Sequence, residues 1–219
     1  MTQALTSALL TAVPGVRHGF FTRHGIPPAG PLAAPSMARQ VHSAHAIEVT
    51  HGTRETCALE EADALWCCEC GVSIAVRTAD CVPMLATTDD GALVLAVHGG
   101  WRGLAAGVIE STVAALLARG YAAQRLRVAI GPHIGPCCYR VGSEVLAALG
   151  PVSRVERSGE LFADLGAVAR ERWQQVGVAD DRIDLVNPCT ACDAERFVSY
   201  RRDHGCAGRQ LSVIAREAT

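Results

Sequence analysis

The chain has no basic run longer than the Arg201-Arg202 pair, and its formal net charge is only -2. Without a concentrated positive face there is no electrostatic footprint for nucleic acid or an anionic bilayer. A small molecule is therefore the expected partner. No stretch approaches the roughly 18 apolar residues needed to cross a membrane. The opening MTQALTSALLTAVPG has an apolar centre but no positive leader, and its Ser and Thr dilute it, so we expect no signal peptide and a cytoplasmic protein. Internal repeats are missing, and so is any linker long enough to divide domains. The 219 residues, 49% of them apolar, suit one domain spanning the whole chain around a real core.

Ten cysteines are present. In a long, core-rich chain with no export signal they read as reduced thiols rather than a disulfide scaffold. Short runs rich in Val, Ile, Leu or Phe predict strands at 18–22, 46–50, 71–77, 82–88, 92–98, 126–130, 182–186 and 211–215. Leu104, Val108, Ala115 and Leu116 fall at helical spacing, with Gly120 where a C-terminal cap belongs, so one helix of about four turns is expected there. Further helices are expected near 143–149 and 163–176. Strands interleaved with helices imply an α/β (α+β) layered sandwich, a mixed sheet flanked by helices. Residues 25–38, GIPPAGPLAAPSMA, hold four prolines and should form a loop.

The segment DCVPMLATTDDGALVLAVHGG carries the first chemical signal. If 82–88 and 92–98 form an antiparallel hairpin around Asp89-Asp90-Gly91, partners sum to about 179 or 180, and Cys81 meets His98 at its open end. Directly opposed residues lie roughly 4.5–5.5 Å apart at Cα and share a sheet face, so a thiolate and an imidazole could share one metal or one proton. For either residue alone, inert burial is the commoner explanation. In RQVHSAH, His42 or His45 supplies a third candidate; two histidines and one cysteine would give Zn²⁺ three ligands with a position open, a catalytic pattern.

Taken together, QVHS, TADCVPML, AVHGGWRGLAAG, IGPHIGPCCYRVG and CTACDAERFVSYRRDHGCAGRQLSVIA resemble one family over most of the chain from His18 to Ala215. This is the peptidoglycan editing factor family, also called laccase-domain or multicopper polyphenol oxidase-like, whose members are regarded as purine nucleoside phosphorylases. The resemblance implies an α/β sandwich and a metal centre on His42, Cys81 and His98. It also implies phosphorolysis of adenosine, inosine and methylthioadenosine, with adenosine deamination as a second activity. Relative to the family pattern, the segment near 25–38 is shortened by about thirty residues, and Ser43 stands where glycine usually follows the histidine.

For that chemistry, Zn²⁺ is the expected ion, with Cu²⁺ as the alternative, and the protein would be a monomer or homodimer acting on a purine nucleoside and phosphate. A zinc-activated water could drive deamination, with Asp80 as a candidate proton carrier beside Cys81. The GGWRG turn offers backbone N–H groups at a helix start, with Arg102 in reach and Arg23 able to join, as a phosphate cradle; an ordinary ion pair is the bland reading of both arginines. Cys138, with Cys137, precedes a helix where a thiol pKa can fall, and the family places this loop at the pocket border. True laccase copper chemistry is excluded, because no His-x-His pair occurs among the eight histidines. The Pro-Cys-x-x-Cys at 188–192 lacks the His-x-Glu of the nucleobase deaminase signature. CCEC at 67–70 and CTAC at 189–192 could in principle share a structural zinc. Two other functions remain: a metal-free hydrolase or amidase with Cys81 as nucleophile and His98 as base, linked to peptidoglycan editing, or a catalytically impaired relative.

Overall fold

A computed structural model describes residues 4–186, 188–205 and 208–217. Its centre is a six-stranded mixed sheet. β3 (Ala46–Glu48) runs parallel to β4 (Ala64–Cys67), which pairs antiparallel with β7 (Val94–Gly99). β7 pairs antiparallel with β6 (Val82–Thr88), β6 with β8 (Leu126–Ile130), and β8 runs parallel to β11 (Ile183–Leu185). A second, antiparallel sheet joins β1 (Ala4–Leu5), β2 (Val16–Phe21), β12 (Gln210–Arg216) and β5 (Ser73–Thr78) in that order, with the one-turn helix α1 (Ala8–Thr11) linking β1 to β2. β9 (Arg154–Arg157) and β10 (Glu160–Ala163) form a separate small hairpin.

Alternation along the central strands assigns each face to a layer. Met84, Ala86, Leu95 and Val97 point to one side, against α3 (Val108–Leu117), α4 (Ser143–Leu149) and α5 (Leu165–Gln175), where Trp173 is fully buried. Leu65, Cys67, Leu85, Val94 and Ala96 point to the other and fill the space between the sheets with Phe20, Ile74 and Ile214. Buried on both faces, β6 and β7 read as unbroken apolar runs rather than alternating ones. The outer face of the four-stranded sheet is closed by the proline-rich segment, where Leu32 and Met37 pack on Phe21, Ala75 and Val213. That segment forms no helix or strand, as expected, and touches the rest through isolated bridges such as Ser36 to Ile74.

Two sequence expectations change. The single helix after residue 100 is two: α2 (Trp101–Ala105) and α3 are separated by Gly107, whose φ of 86° is left-handed and stops the first helix. The hairpin register is also shifted. Thr88 faces Leu93 across a four-residue connection, Asp89–Ala92, held by Asp90 accepting from Thr88 Oγ1 and the Ala92 N–H. Partners therefore sum to 181, with Pro83 opposite His98 and Val82 opposite Gly99.

Within β2, His18 is buried and its Nε2 accepts the Ser7 N–H at 2.9 Å. Burial holds its pKa down to about 4, against a modest upward pull from Asp184. The unfolded chain takes up this proton near pH 6.5 and the folded chain only near 4, so this group's contribution is complete above pH 6.5 and is lost as pH falls toward 4. Urea unfolding of His18→Gln against the parent should show a stability difference that changes with pH across that window by up to about 3 kcal/mol. A pH-independent difference would contradict this account.

Candidate metal centre and arginine-lined cavity

The shifted register preserves the face. Cys81 precedes Pro83 by two residues, so it lies diagonal to His98 and on the same side of the sheet, where a slip of one would have separated them. The structure brings His42 to the same place: the donor atoms of His42, Cys81 and His98 all lie within 4.8 Å of one another. Cys81 Sγ is 3.8 Å from His42 Nε2, and the two imidazoles meet edge to face with centroids 4.9 Å apart. His45 is elsewhere; its Nδ1 bonds the Glu61 carbonyl at 2.7 Å.

Asp63 holds this cluster together, and the sequence reading missed it. One residue before β4, it is opposite His98 by continuation of the β4–β7 register, and the His98 N–H bonds its carbonyl at 2.7 Å. Its carboxylate accepts from His98 Nδ1 at 2.7 Å, from the backbone N–H groups of Val41, His42 and Ser43, and from the Ser43 hydroxyl at 2.9 Å. The carboxylate is fully buried; burial works against its charge, yet the bonds from His98 and Ser43 hold its pKa down to about 2. His42 is thereby fixed with φ at 61°, in the left-handed region. The signal for Asp63 was the strand ALWC, which the sequence reading left unassigned.

Electrostatics follow from this arrangement. Burial alone would depress the imidazolium of His98, but Asp63 and Cys81 outweigh it and raise its pKa to about 9. Burial likewise opposes the Cys81 thiolate, but hydrogen bonds from His42 and His98 bring it down to about 6. The set also suits a metal: one thiolate, two imidazoles, and a carboxylate on the far nitrogen of His98, the outer partner that orients ligating histidines. Gly100 completes the fit, because a Cβ there would lie 2.4 Å from His42 Cδ2 and 3.3 Å from Cys81 Sγ.

The cluster opens into a cavity of about 730 Å³ also lined by Trp101, Tyr139 and the arginines at 39, 77, 102, 201 and 209, within the size range of small-molecule sites. Arg39 pairs with Glu61. The other four have no carboxylate partner among the described residues, and Arg102 lies over the Trp101 ring at 4.5 Å.

The remaining candidates are placed differently. Asp80 lines the cavity, but its carboxylate accepts from Thr190 Oγ1 at 2.6 Å, Ser199 Oγ at 3.0 Å and the Arg201 N–H at 2.7 Å, the geometry of a tie between loops. Arg23 donates to the Ala194 carbonyl at 2.7 Å and does not line the cavity. Neither does Cys138, whose sulfur faces Cys192 at 3.3 Å; the cavity receives its neighbour Tyr139. Nor are the loop thiols acidified: burial and the adjoining cysteines raise Cys137 to about 11 and push Cys138 up as well. α2 is only five residues long, so the arginines, not its dipole, dominate the cavity's field. CCEC and CTAC do not meet: Cys67 is buried between the sheets, Cys68 contacts the Tyr121 hydroxyl at 3.1 Å, and Cys70 contacts the Glu217 carbonyl at 3.7 Å.

Gly100→Ala should displace His42 and remove its hydrogen bond from Cys81. In chelator-treated protein, alkylation of Cys81 by iodoacetamide should reach half its maximal rate near pH 6 in the parent and at clearly higher pH in the variant. Coinciding profiles would mean that His42 does not tune the thiol.

A family model described as "Multi-copper polyphenol oxidoreductase laccase" matches residues 17–217. Purine nucleoside phosphorylase YlmD of Geobacillus stearothermophilus is 36% identical over 203 residues, covering 86% of this chain and 74% of the relative. A purine nucleoside phosphorylase of Pseudomonas aeruginosa is 38% identical over 188 residues, covering 82% and 73%. Among solved structures, a Bacillus licheniformis hypothetical protein YfiH superposes with a TM-score of 0.86 at 26% identity, covering 99% of this chain and 97% of that one. The Geobacillus YlmD structure gives 0.83 at 30%, covering 97% and 94%. No helix among the described residues is long and apolar enough to cross a membrane. The chain therefore belongs to this laccase-like polyphenol oxidoreductase family, whose curated relatives are named purine nucleoside phosphorylases.

Proposed function

We propose that the protein is a metal-dependent purine nucleoside phosphorylase acting on adenosine, inosine and methylthioadenosine, with adenosine deamination as a second activity of the same site. The observation that carries the reading is a cavity with four arginines along its walls that have no carboxylate partner among the described residues, and the His42–Cys81–His98 cluster at one end. The names of the curated relatives support it.

Phosphorolysis joins a phosphate oxygen to ribose C1′ while the C1′–N9 bond breaks, and the electron pair leaves with the purine, which takes up a proton. The chain must hold an anion against a nucleoside and stabilise the departing base. Arg77, Arg102, Arg201 and Arg209 supply the positive field for phosphate, with Arg102 held in place by the Trp101 ring. Trp101 and Tyr139 offer aromatic faces for the base. Burial and the neighbouring Cys81 push the Tyr139 phenol up to about 12, so it stays protonated and can donate to the base or sugar. His42, Cys81 and His98 would hold Zn²⁺, or Cu²⁺, and the ion would supply Lewis acidity at the cavity end. Asp63 keeps His98 and His42 oriented for that role. Asp80 positions Cys81 from the neighbouring residue through its ties to Thr190, Ser199 and Arg201 rather than moving a proton.

Incubation with adenosine, with and without phosphate, separates the readings. Phosphate-dependent release of adenine and ribose 1-phosphate is expected, with inosine formed independently of phosphate as the minor product. Absence of all three products would remove the proposal, and turnover of an amide substrate that survives chelation but not Cys81 alkylation would favour a thiol hydrolase. Asp63→Asn, which keeps the shape but removes the charge behind His98, should weaken metal affinity about 10–100-fold, read by competition with a chromogenic chelator. An unchanged affinity would contradict Asp63's place in the site.

A further inference from the structure

Four cysteines outside the cavity converge. The donor sulfurs of Cys137, Cys138, Cys189 and Cys192 all lie within 4.8 Å of one another. Cys192 Sγ is 3.5 Å from Cys137 Sγ and 3.3 Å from Cys138 Sγ. In a tetrahedral zinc site with Zn–S bonds of about 2.3 Å, neighbouring sulfurs stand about 3.8 Å apart. The four sulfurs thus already surround a volume of the right size. We infer that Cys137, Cys138, Cys189 and Cys192 form a second, structural site for a thiophilic divalent cation such as Zn²⁺, separate from the cavity cluster.

The backbone is arranged for thiolates. The Gly135 N–H points at Cys189 Sγ at 3.2 Å, a donor placed where a metal-bound thiolate would accept it. A Cβ at Gly135 would lie 3.2 Å from Cys137 Sγ and 3.4 Å from Cys189 Cβ, so the glycine relieves crowding beside the cluster. The two strands of loop that carry the sulfurs are joined before any ion is added, through a bridge between His133 and Cys189 and the Thr190 N–H to His133 carbonyl bond at 3.0 Å. Cys137 and Cys192 are exposed, which leaves a route for entry. Binding releases the thiol protons to solvent and forms four metal–sulfur bonds without redox change.

The position explains what such an ion would do. Tyr139, next to Cys138, lines the cavity, and Thr190, between the two cysteines of the turn, donates to the carboxylate of Asp80 beside Cys81. An ion here would clamp two loops that build the cavity wall.

The test uses the full chain, reduced, stripped of metal and titrated with Zn²⁺, with bound zinc counted by mass spectrometry. Cys189→Ser/Cys192→Ser should bind one equivalent fewer than the parent. A loss from two to one supports both metal sites; a loss from one to none supports this site while removing the cavity centre; no loss overturns the inference. Because that variant could fail to fold, the parent alone provides a second readout. Zn²⁺ should slow alkylation of the exposed Cys137 and Cys192 about tenfold or more, since bound thiolates lose their nucleophilicity, and a chelator should restore it. Equal modification with and without Zn²⁺, or recovery of these cysteines as disulfides in the zinc-treated protein, would overturn it.

Discussion

A single buried carboxylate organises the centre of this protein. Asp63 accepts from a histidine ring, a serine hydroxyl and three consecutive backbone N–H groups, so it gathers β7 and the loop before β3 onto one point at the edge of β4. The energetic logic is that of a buried charge: removing it from water is costly, and only a full set of donors makes its ionised form stable there. Once that set is in place it determines three other features: the orientation of His98, the backbone path at His42 and, through both imidazoles, the ionisation of Cys81. Ser43 strengthens the set, since its hydroxyl is one of the five donors; a glycine at that position would not provide it.

The two-sheet architecture explains why these groups meet where they do. Asp63, Cys81 and His98 continue three neighbouring strands and share the face that points between the sheets. Deeper in, that face carries Leu65, Leu85 and Ala96 and is filled. At its end the apolar packing stops, and polar residues of the same alternation emerge into the cavity. The site is thus an extension of the core's own pattern, on rigid elements, with the variable parts supplied by the loops that bring Tyr139 and the arginines.

How much of this could be read from the chain depended on whether the signal was local. β6, β8 and α4 were assigned with their observed ends, because apolar runs and turn residues bracket them. The Cys81–His98 encounter was legible because both residues belong to one hairpin: the connection is two residues longer than direct opposition would need, an even shift that keeps the shared face and leaves the two diagonal rather than opposed. Asp63 was not legible, since its role needs β4 against β7, a pairing that brings together residues 35 apart in the chain and in which the four-residue β4 carries little pattern of its own. The four-cysteine cluster failed for the same reason: the sequence shows CCEC, CC and CTAC as equals, and only the fold places the second beside the third. The break in the helix after residue 100 depended on one glycine whose conformation composition does not announce.

His42 shows where two requirements on one position conflict. Its φ of 61° is backbone that glycine adopts freely and that costs an imidazole-bearing residue of order 1–3 kcal/mol, yet the cluster needs the ring. The sequence resolves the conflict in favour of the side chain and leaves the backbone to be held by an acid twenty-one residues away. Relaxing position 42 to glycine would therefore give an easier chain path and an emptier site, so stability and chemistry pull on this residue in opposite directions.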